Sequence, residues 1–288
     1  MLELLKDVVM RIEGHLDLYL RNEEAVKQHL ILPVLRALGW NVEDPGEVRP
    51  EERTSEGRAD YALIKGGRVV AFLEAKNLSV NVLKEDVLLQ LGKYCFNMGV
   101  RYGIASNGAV WIAFKSFEEG RSLKDRILFV VDLREEPLER ATLRLSLLSK
   151  GRIERLEELS RALRAIEEGT MQLKGAGIED EKIVDYLLSL SLSGRAVPVD
   201  LLTGSERPKG VYVFEGTWKF IPLEERSVKG VLLAVLRFLA SSVSEGKEKR
   251  ALQKAYEELR VRPLDVEKVR FLLRGIEEEK GIRIRVLL

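Results

Sequence analysis

Between residues 60 and 133 the chain carries five strand-like segments and a single helical one. DYALI (60–64) and RVVAFLEAK (68–76) flank Gly66-Gly67, which reads as a hairpin turn. RYGIAS (101–106) and AVWIAF (109–114) flank Asn107-Gly108, a dipeptide that predicts a type I′ turn. RILFVVDL (126–133) is the last apolar strand, and LKEDVLLQLGKYCF (83–96), between the hairpins, has the period of a helix. That order predicts a mixed sheet with one crossover helix, an α/β domain ending near residue 135.

Upstream, apolar residues at helical spacing (Leu2, Leu5, Val8, Val9, Ile12, Leu16 and Leu20) predict a helix over 2–20. Asn22 is placed to cap a second helix reaching Leu38, with Glu23 and Glu24 in its first turn, Gly39 past its end and Pro33 kinking or splitting it. The polar stretch after Trp40 reads as a loop with at most one short edge strand. Downstream, the pattern predicts a helical linker over 136–170 and a small α+β module over 171–288. That module reads as a helix, a hairpin (VYVFEG and TWKFIP), two or three helices and a final strand, IRIRVLL.

Composition removes several classes of function. The 47 basic and 46 acidic residues leave a net charge of +1, so a polyanionic partner has to be met by a local patch. Cys95 is the only cysteine, which excludes an intrachain disulfide framework and a multi-cysteine zinc site, and fits a reducing, cytoplasmic compartment. The longest apolar run, GVLLAVLRFLA (230–240), is too short to span a bilayer and contains Arg237, so no membrane partner is expected. No GxxxxGK[ST] loop occurs, which excludes an ATP-driven motor in cis.

The chemistry centres on FLEAKN (72–77). Glu74 and Lys76 are two apart on a strand and project from one face. An exposed ion pair at a strand end is the plain reading. The apolar run before them, however, predicts a strand buried on both faces, where such a pair needs a reason. Asp60 supplies one: two converging carboxylates make a hard oxygen site suited to Mg²⁺, and a neighbouring lysine can orient the attacking water of a phosphodiester hydrolysis. The hairpin register decides whether the carboxylates converge. A strict two-residue Gly66-Gly67 loop sets Asp60 opposite Leu73; a three-residue loop, or an equivalent bulge, sets it opposite Glu74. The longer loop or bulge is therefore expected.

NEEAVKQHLILPVLRALGW (22–40), GRADYAL (57–63), FLEAKN (72–77), EDVLLQLGKY (85–94) and GVRYGIASNGAVWIAF (99–114) together resemble the PD-(D/E)XK nuclease superfamily. The branch they resemble is the nuclease domain at the N-terminus of type I restriction enzyme motor subunits. The resemblance covers roughly the first 135 residues and implies a restriction-endonuclease-like mixed sheet flanked by helices. It implies that Asp60, Glu74 and the backbone carbonyl of Ala75 ligate Mg²⁺, with Mn²⁺ as a substitute, and that Lys76 is the catalytic lysine. Glu23 would assist metal or water from the first helix, although acids in a helix's first turn are also ordinary dipole complements. Gln90 and Tyr94, at i, i+4 on one helix face, match a QxxxY element implicated in holding DNA near the scissile phosphate; they equally suit the edge of a packed helix. Arg49, Arg53, Arg58 and Arg68 surround these positions in sequence, and Arg58 and Arg68 are taken as DNA contacts. Ala59 stands where the superfamily often has proline. The implied activity is a Mg²⁺-dependent DNA endonuclease of restriction or defence, leaving 5′-phosphate and 3′-hydroxyl ends and working as a homodimer. Alternatives are a non-cleaving nuclease-fold DNA-binding or scaffold protein and a structure-selective repair nuclease.

Overall fold

Two units divide the computed structural model, Met1–Gln172 and Leu173–Leu288; the residues described are 1–54, 57–192, 194–243 and 246–288. The first unit opens with α1 (Leu2–Gly14) and α2 (Leu16–Arg21), which break at His15 within the stretch expected to be one helix. α3 (Glu23–Val26) follows, capped as expected by Asn22, whose side chain accepts the Ala25 N–H at 3.0 Å. A π-turn (Lys27–Ile31) then leads into α4 (Leu32–Ala37), which carries Pro33 in its first turn. Pro33 cannot donate to the His29 carbonyl one helical turn back, and the Arg11 guanidinium donates to that carbonyl instead, at 3.0 Å. The proline is thus accommodated by widening one turn rather than by a break.

Next come β1 (Val48–Thr54), β2 (Gly57–Lys65), β3 (Arg68–Ala75), α5 (Glu85–Asn97), β4 (Tyr102–Ser106), β5 (Val110–Lys115) and β6 (Ile127–Asp132). They form a six-stranded sheet in sequence order, antiparallel throughout except for β3 and β4, which run parallel across the α5 crossover. The edge strand β1 spans seven residues, longer than the short edge expected. One face of the sheet packs against α1 to α4 through Val8, Leu30, Leu35, Leu63, Leu73 and Trp111. The other packs against α5 through Ala62, Phe72, Leu91, Cys95 and Phe114.

Residues 136–170, read from the sequence as a linker, belong to the first unit's core. α6 (Leu138–Ser146) and α7 (Leu156–Gly175) contribute Ala141, Leu145 and Leu156 to the same cluster as Leu5 and Trp111. The Trp40 indole donates to the Leu148 carbonyl at 3.0 Å, and Glu157 is buried among Arg101, Lys115 and Arg161, at 2.5, 3.3 and 2.5 Å. The amphipathic pattern was visible, but nothing in it says which apolar face the helices cover.

The Asn107-Gly108 turn also departs from expectation. Only Gly108 has positive φ (86°), and the Asn107 N–H donates to the Val110 carbonyl at 3.2 Å, so the chain turns over Gly108-Ala109 instead of over Asn107-Gly108 in a type I′ turn. The buried Asn107 side chain takes over the turn's hydrogen bonding. It accepts the N–H groups of Ala109 and Val110 and donates to the Val80 carbonyl at 3.0 Å.

The second unit contains α8 (Asp180–Ser189), β7 (Ala196–Pro198), β8 (Gly210–Glu215), β9 (Thr217–Pro222), α9 (Val228–Ser242), α10 (Lys247–Val261), α11 (Val266–Lys280) and β10 (Arg283–Leu287). Its antiparallel sheet has the order β7-β10-β8-β9. Val211, Val213, Ile284 and Val286 meet α9 and α11 in a core of its own. This is the α+β module read from the sequence, with three helices between hairpin and final strand. No helix among the described residues is long and apolar enough to cross a membrane.

Candidate active site

The β2–β3 hairpin settles the register question through a bulge. Lys65 pairs with Arg68 across Gly66 and Gly67, both at positive φ (58° and 73°), which is the strict two-residue turn. Between Leu63 and Ile64 the register shifts: Ile64 pairs with Val69, but Leu63 pairs with Ala71 and Tyr61 with Leu73, leaving Val70 as the extra residue. One residue further along this register Asp60 stands across from Glu74. The equivalent bulge, and not the longer loop, brings the two acids to one face.

These acids lie at the C-terminal end of β3, beside β4, where open sheets place their binding crevices. Asp60 is held at both oxygens: Oδ2 accepts the Ala75 N–H at 2.8 Å, and Oδ1 accepts the Lys27 ammonium at 2.5 Å. Lys27 sits at the start of the π-turn, only 9% exposed, and also pairs with Glu23 Oε1 at 3.2 Å. Glu74 is 5% exposed; its Oε1 accepts from Lys76 Nζ at 2.6 Å, while its Oε2 is buried with no hydrogen-bond partner. Glu23, Lys27, Asp60, Glu74 and Lys76 thus form one charge cluster. Glu24 turns instead to Gln28, whose amide donates to it at 2.8 Å.

Burial raises the Glu74 pKa above the usual carboxylate range, the Lys76 hydrogen bond pulls it back and Asp60 pushes it up again. For Lys76 burial works against the ammonium, but Glu74, then Glu23 and Asp60, outweigh it and hold the lysine charged. Burial opposes Lys27 likewise, and Asp60 and Glu23 raise it well above the ordinary lysine value. Both lysines are therefore cations at neutral pH and cannot act as bases in this state. Tyr61, next to Asp60, is pushed up to about 12, chiefly by burial and then by Glu24.

A Mg²⁺ ion fits this donor set by two tests. The unpartnered Glu74 Oε2 lacks a cationic or donor partner, and the opposed carboxylates of Asp60 and Glu74 offer hard oxygens. No set of three His, Cys, Asp or Glu side chains converges among the described residues. Mg²⁺ ordinarily keeps several waters and takes only one or two carboxylates, so a pair suffices. Ala75, whose carbonyl is the third ligand implied by the resemblance, lies between the two charged residues with its side chain fully buried.

Gln90 and Tyr94 are joined to each other, Nε2 to hydroxyl at 2.6 Å, on the exposed edge of α5. Tyr94 is buried, and its hydroxyl lies where a Cβ on Gly57 would sit, 2.6 Å away. The pair therefore borders the start of β2, three residues from Asp60, and its hydrogen bond runs within the pair, not to the acids. Arg58 alternates onto the face of Asp60 and is exposed, with a loose pair to Glu51 at 3.3 Å. Arg49 pairs with Glu52 at 3.4 Å, and the Arg53 side chain lies outside the described residues. Arg68 sits at the Gly66–Gly67 turn, six residues along β3 from Glu74 and so about 20 Å from it, at the far end of the strand.

The residue the sequence reading missed is Lys27. Its signal was present: it stands four residues after Glu23, inside the stripe of Val26, Leu30 and Ile31, where an unpaired lysine is costly. A separate cavity of about 590 Å³ lies in the second unit, lined by Phe220, Leu233, Phe238 and Tyr256 with Arg237 and Arg260. Glu224 and Glu225 line it as well, and Arg237 is paired with Glu224 there.

Compared with known proteins, the chain matches no family model, no curated protein and no solved structure.

Proposed function

We propose that the first unit is a metal-dependent DNA endonuclease with a restriction-endonuclease-like core. The observation that carries this reading is the Val70 bulge, which departs from the strict hairpin register and in doing so sets Asp60 across from Glu74 with Lys76 on the same end of β3. A hairpin built only for stability has no use for two facing carboxylates, one of them with a buried, unpartnered oxygen.

Asp60, Glu74 and the Ala75 carbonyl would hold Mg²⁺, which when bound supplies charge stabilisation at the phosphate. The chain's own residues do the rest. The Ala75 N–H fixes the Asp60 carboxylate at Oδ2, and Glu74 stands buried across from it. Lys76, held charged, orients the incoming water and the phosphate oxygens through its ammonium protons. Arg58 and Gln90, both exposed, would contact the DNA backbone near the start of β2, with the buried Tyr94 hydroxyl accepting from Gln90 and fixing its side chain. A role in restriction or defence, and a homodimer that cuts both strands, follow as part of the same reading.

One observation favours a second reading, a nuclease-fold protein that binds without cutting: Lys27 and Lys76 already pair with both acids. Incubation of the protein with supercoiled, linear and branched DNA, with Mg²⁺ or Mn²⁺, separates the two. Metal-dependent cutting lost in both Lys76→Ala and Asp60→Ala is the expected result. DNA retained in a gel shift but left intact by wild type would select the binding protein, and equal cutting by all three proteins would reveal a contaminant. Preference for branched substrate would select the repair nuclease.

A further inference from the structure

We infer that Lys27 is the site's resident cation, which a divalent metal has to displace from Asp60, so that it sets the metal concentration at which the site loads. This rests on the metal-binding reading of Asp60 and Glu74 given above. Three features of the geometry lead to it. Lys27 Nζ lies 2.5 Å from Asp60 Oδ1, while Asp60 Oδ2 is occupied by the Ala75 N–H, so Oδ1 is the oxygen whose partner can change. The lysine is buried, and Glu23 Oε1, on the preceding helical turn, stands 3.2 Å from the same ammonium on a side chain that is partly exposed. The π-turn is what admits this arrangement: the Leu32 N–H bonds to the Lys27 carbonyl five residues back, and Lys27 opens that widened turn.

A lysine ammonium and a divalent ion on one carboxylate repel each other strongly in a poorly solvated site. Metal entry therefore requires the ammonium to move from Asp60 toward Glu23. Glu23 acts in this scheme through Lys27, as the group that receives the displaced charge, and not as a metal ligand. Lys76 does not share the role: it is more exposed, bonds only to Glu74 Oε1 and leaves Oε2 open.

The test is Mn²⁺ binding by titration calorimetry at pH 8 to the full chain, as wild type, Lys27→Met, Lys27→Arg and Glu74→Gln. The Lys27→Met protein is expected to bind Mn²⁺ about tenfold more tightly than wild type and to gain a larger rise in melting temperature on adding it. Lys27→Arg, which keeps the cation, should bind within about twofold of wild type, and Glu74→Gln should lose binding. If Lys27→Met does not fold, Lys27→Gln carries the same expectation, because it is neutral and can still donate to Asp60. Mn²⁺ bound by wild type but no more tightly by the neutral variants would overturn the inference and make Lys27 a positioning residue for Asp60. No Mn²⁺ bound by either wild type or the neutral variants would instead remove the metal-site reading on which it rests.

Discussion

At the scale of single residues, burial weakens the acidity of Glu74 and Lys76 recovers only part of the loss. The folded chain thus takes up a proton on Glu74 at a higher pH than the unfolded chain does. The ionised group costs stability at neutral pH, and that cost disappears as the pH falls through the raised value. Metal binding needs the ionised form, so protons compete with it in the same window. Mn²⁺ affinity is expected to fall about tenfold per pH unit below an onset above the ordinary glutamate range. A titration in which affinity stays flat down to the usual glutamate value would exclude Glu74 as a ligand. Asp60, Glu74 and Lys76 were legible in the sequence because each is a charge set against an apolar strand. Lys27 was not, because a lone lysine on a helix ordinarily reads as surface, and only the fold reveals that Asp60 meets it.

At the scale of elements, α7 is fastened to the sheet by a buried charge. Glu157 meets Arg101, Lys115 and Arg161, and although burial opposes its charge, these cations hold its carboxyl below the usual range. Its contribution is present above the unfolded value and lost as the pH falls through the lowered one. Glu157→Ala should destabilise the first unit by about 1 kcal/mol, because Arg101 and Arg161 stay solvated and only the largely covered Lys115 is left without the Glu157 carboxylate. Denaturant unfolding checks this, and a change below about 0.5 kcal/mol would mean that the cluster is solvated surface. The order of strands and of the crossover helix was readable from local period alone, since the periods 2 and 3.6 are set by backbone geometry. What period cannot show is which partner an amphipathic face meets, and so 136–170 read as a linker. Nor does a dipeptide fix a turn when a buried side chain such as Asn107 can rebuild it. Arg68 shows the same limit: it is near Asp60 and Glu74 in sequence, but the hairpin puts it at the turn and the acids at the other end of the paired strands.

On the scale of the whole molecule, each unit has its own sheet and core, and the net charge is near zero. Some charges of the second unit form internal pairs, among them Arg285 with Asp185 at 2.9 Å and Lys280 with Glu248 at 2.6 Å. Its sequence predicted its elements but offered no constellation of chemistry, and its structure adds none like that at Asp60 and Glu74. The central claim therefore stands on the first unit, and Glu74→Gln tests it most directly. The amide keeps the shape of the side chain and removes a buried charge with an unpartnered oxygen, so the melting temperature should hold or rise. Plasmid cleavage in Mg²⁺, measured beside it, should fall by at least about 100-fold. A Glu74→Gln protein that melts no lower and cuts as fast as wild type would contradict the assignment of this cluster as the active site.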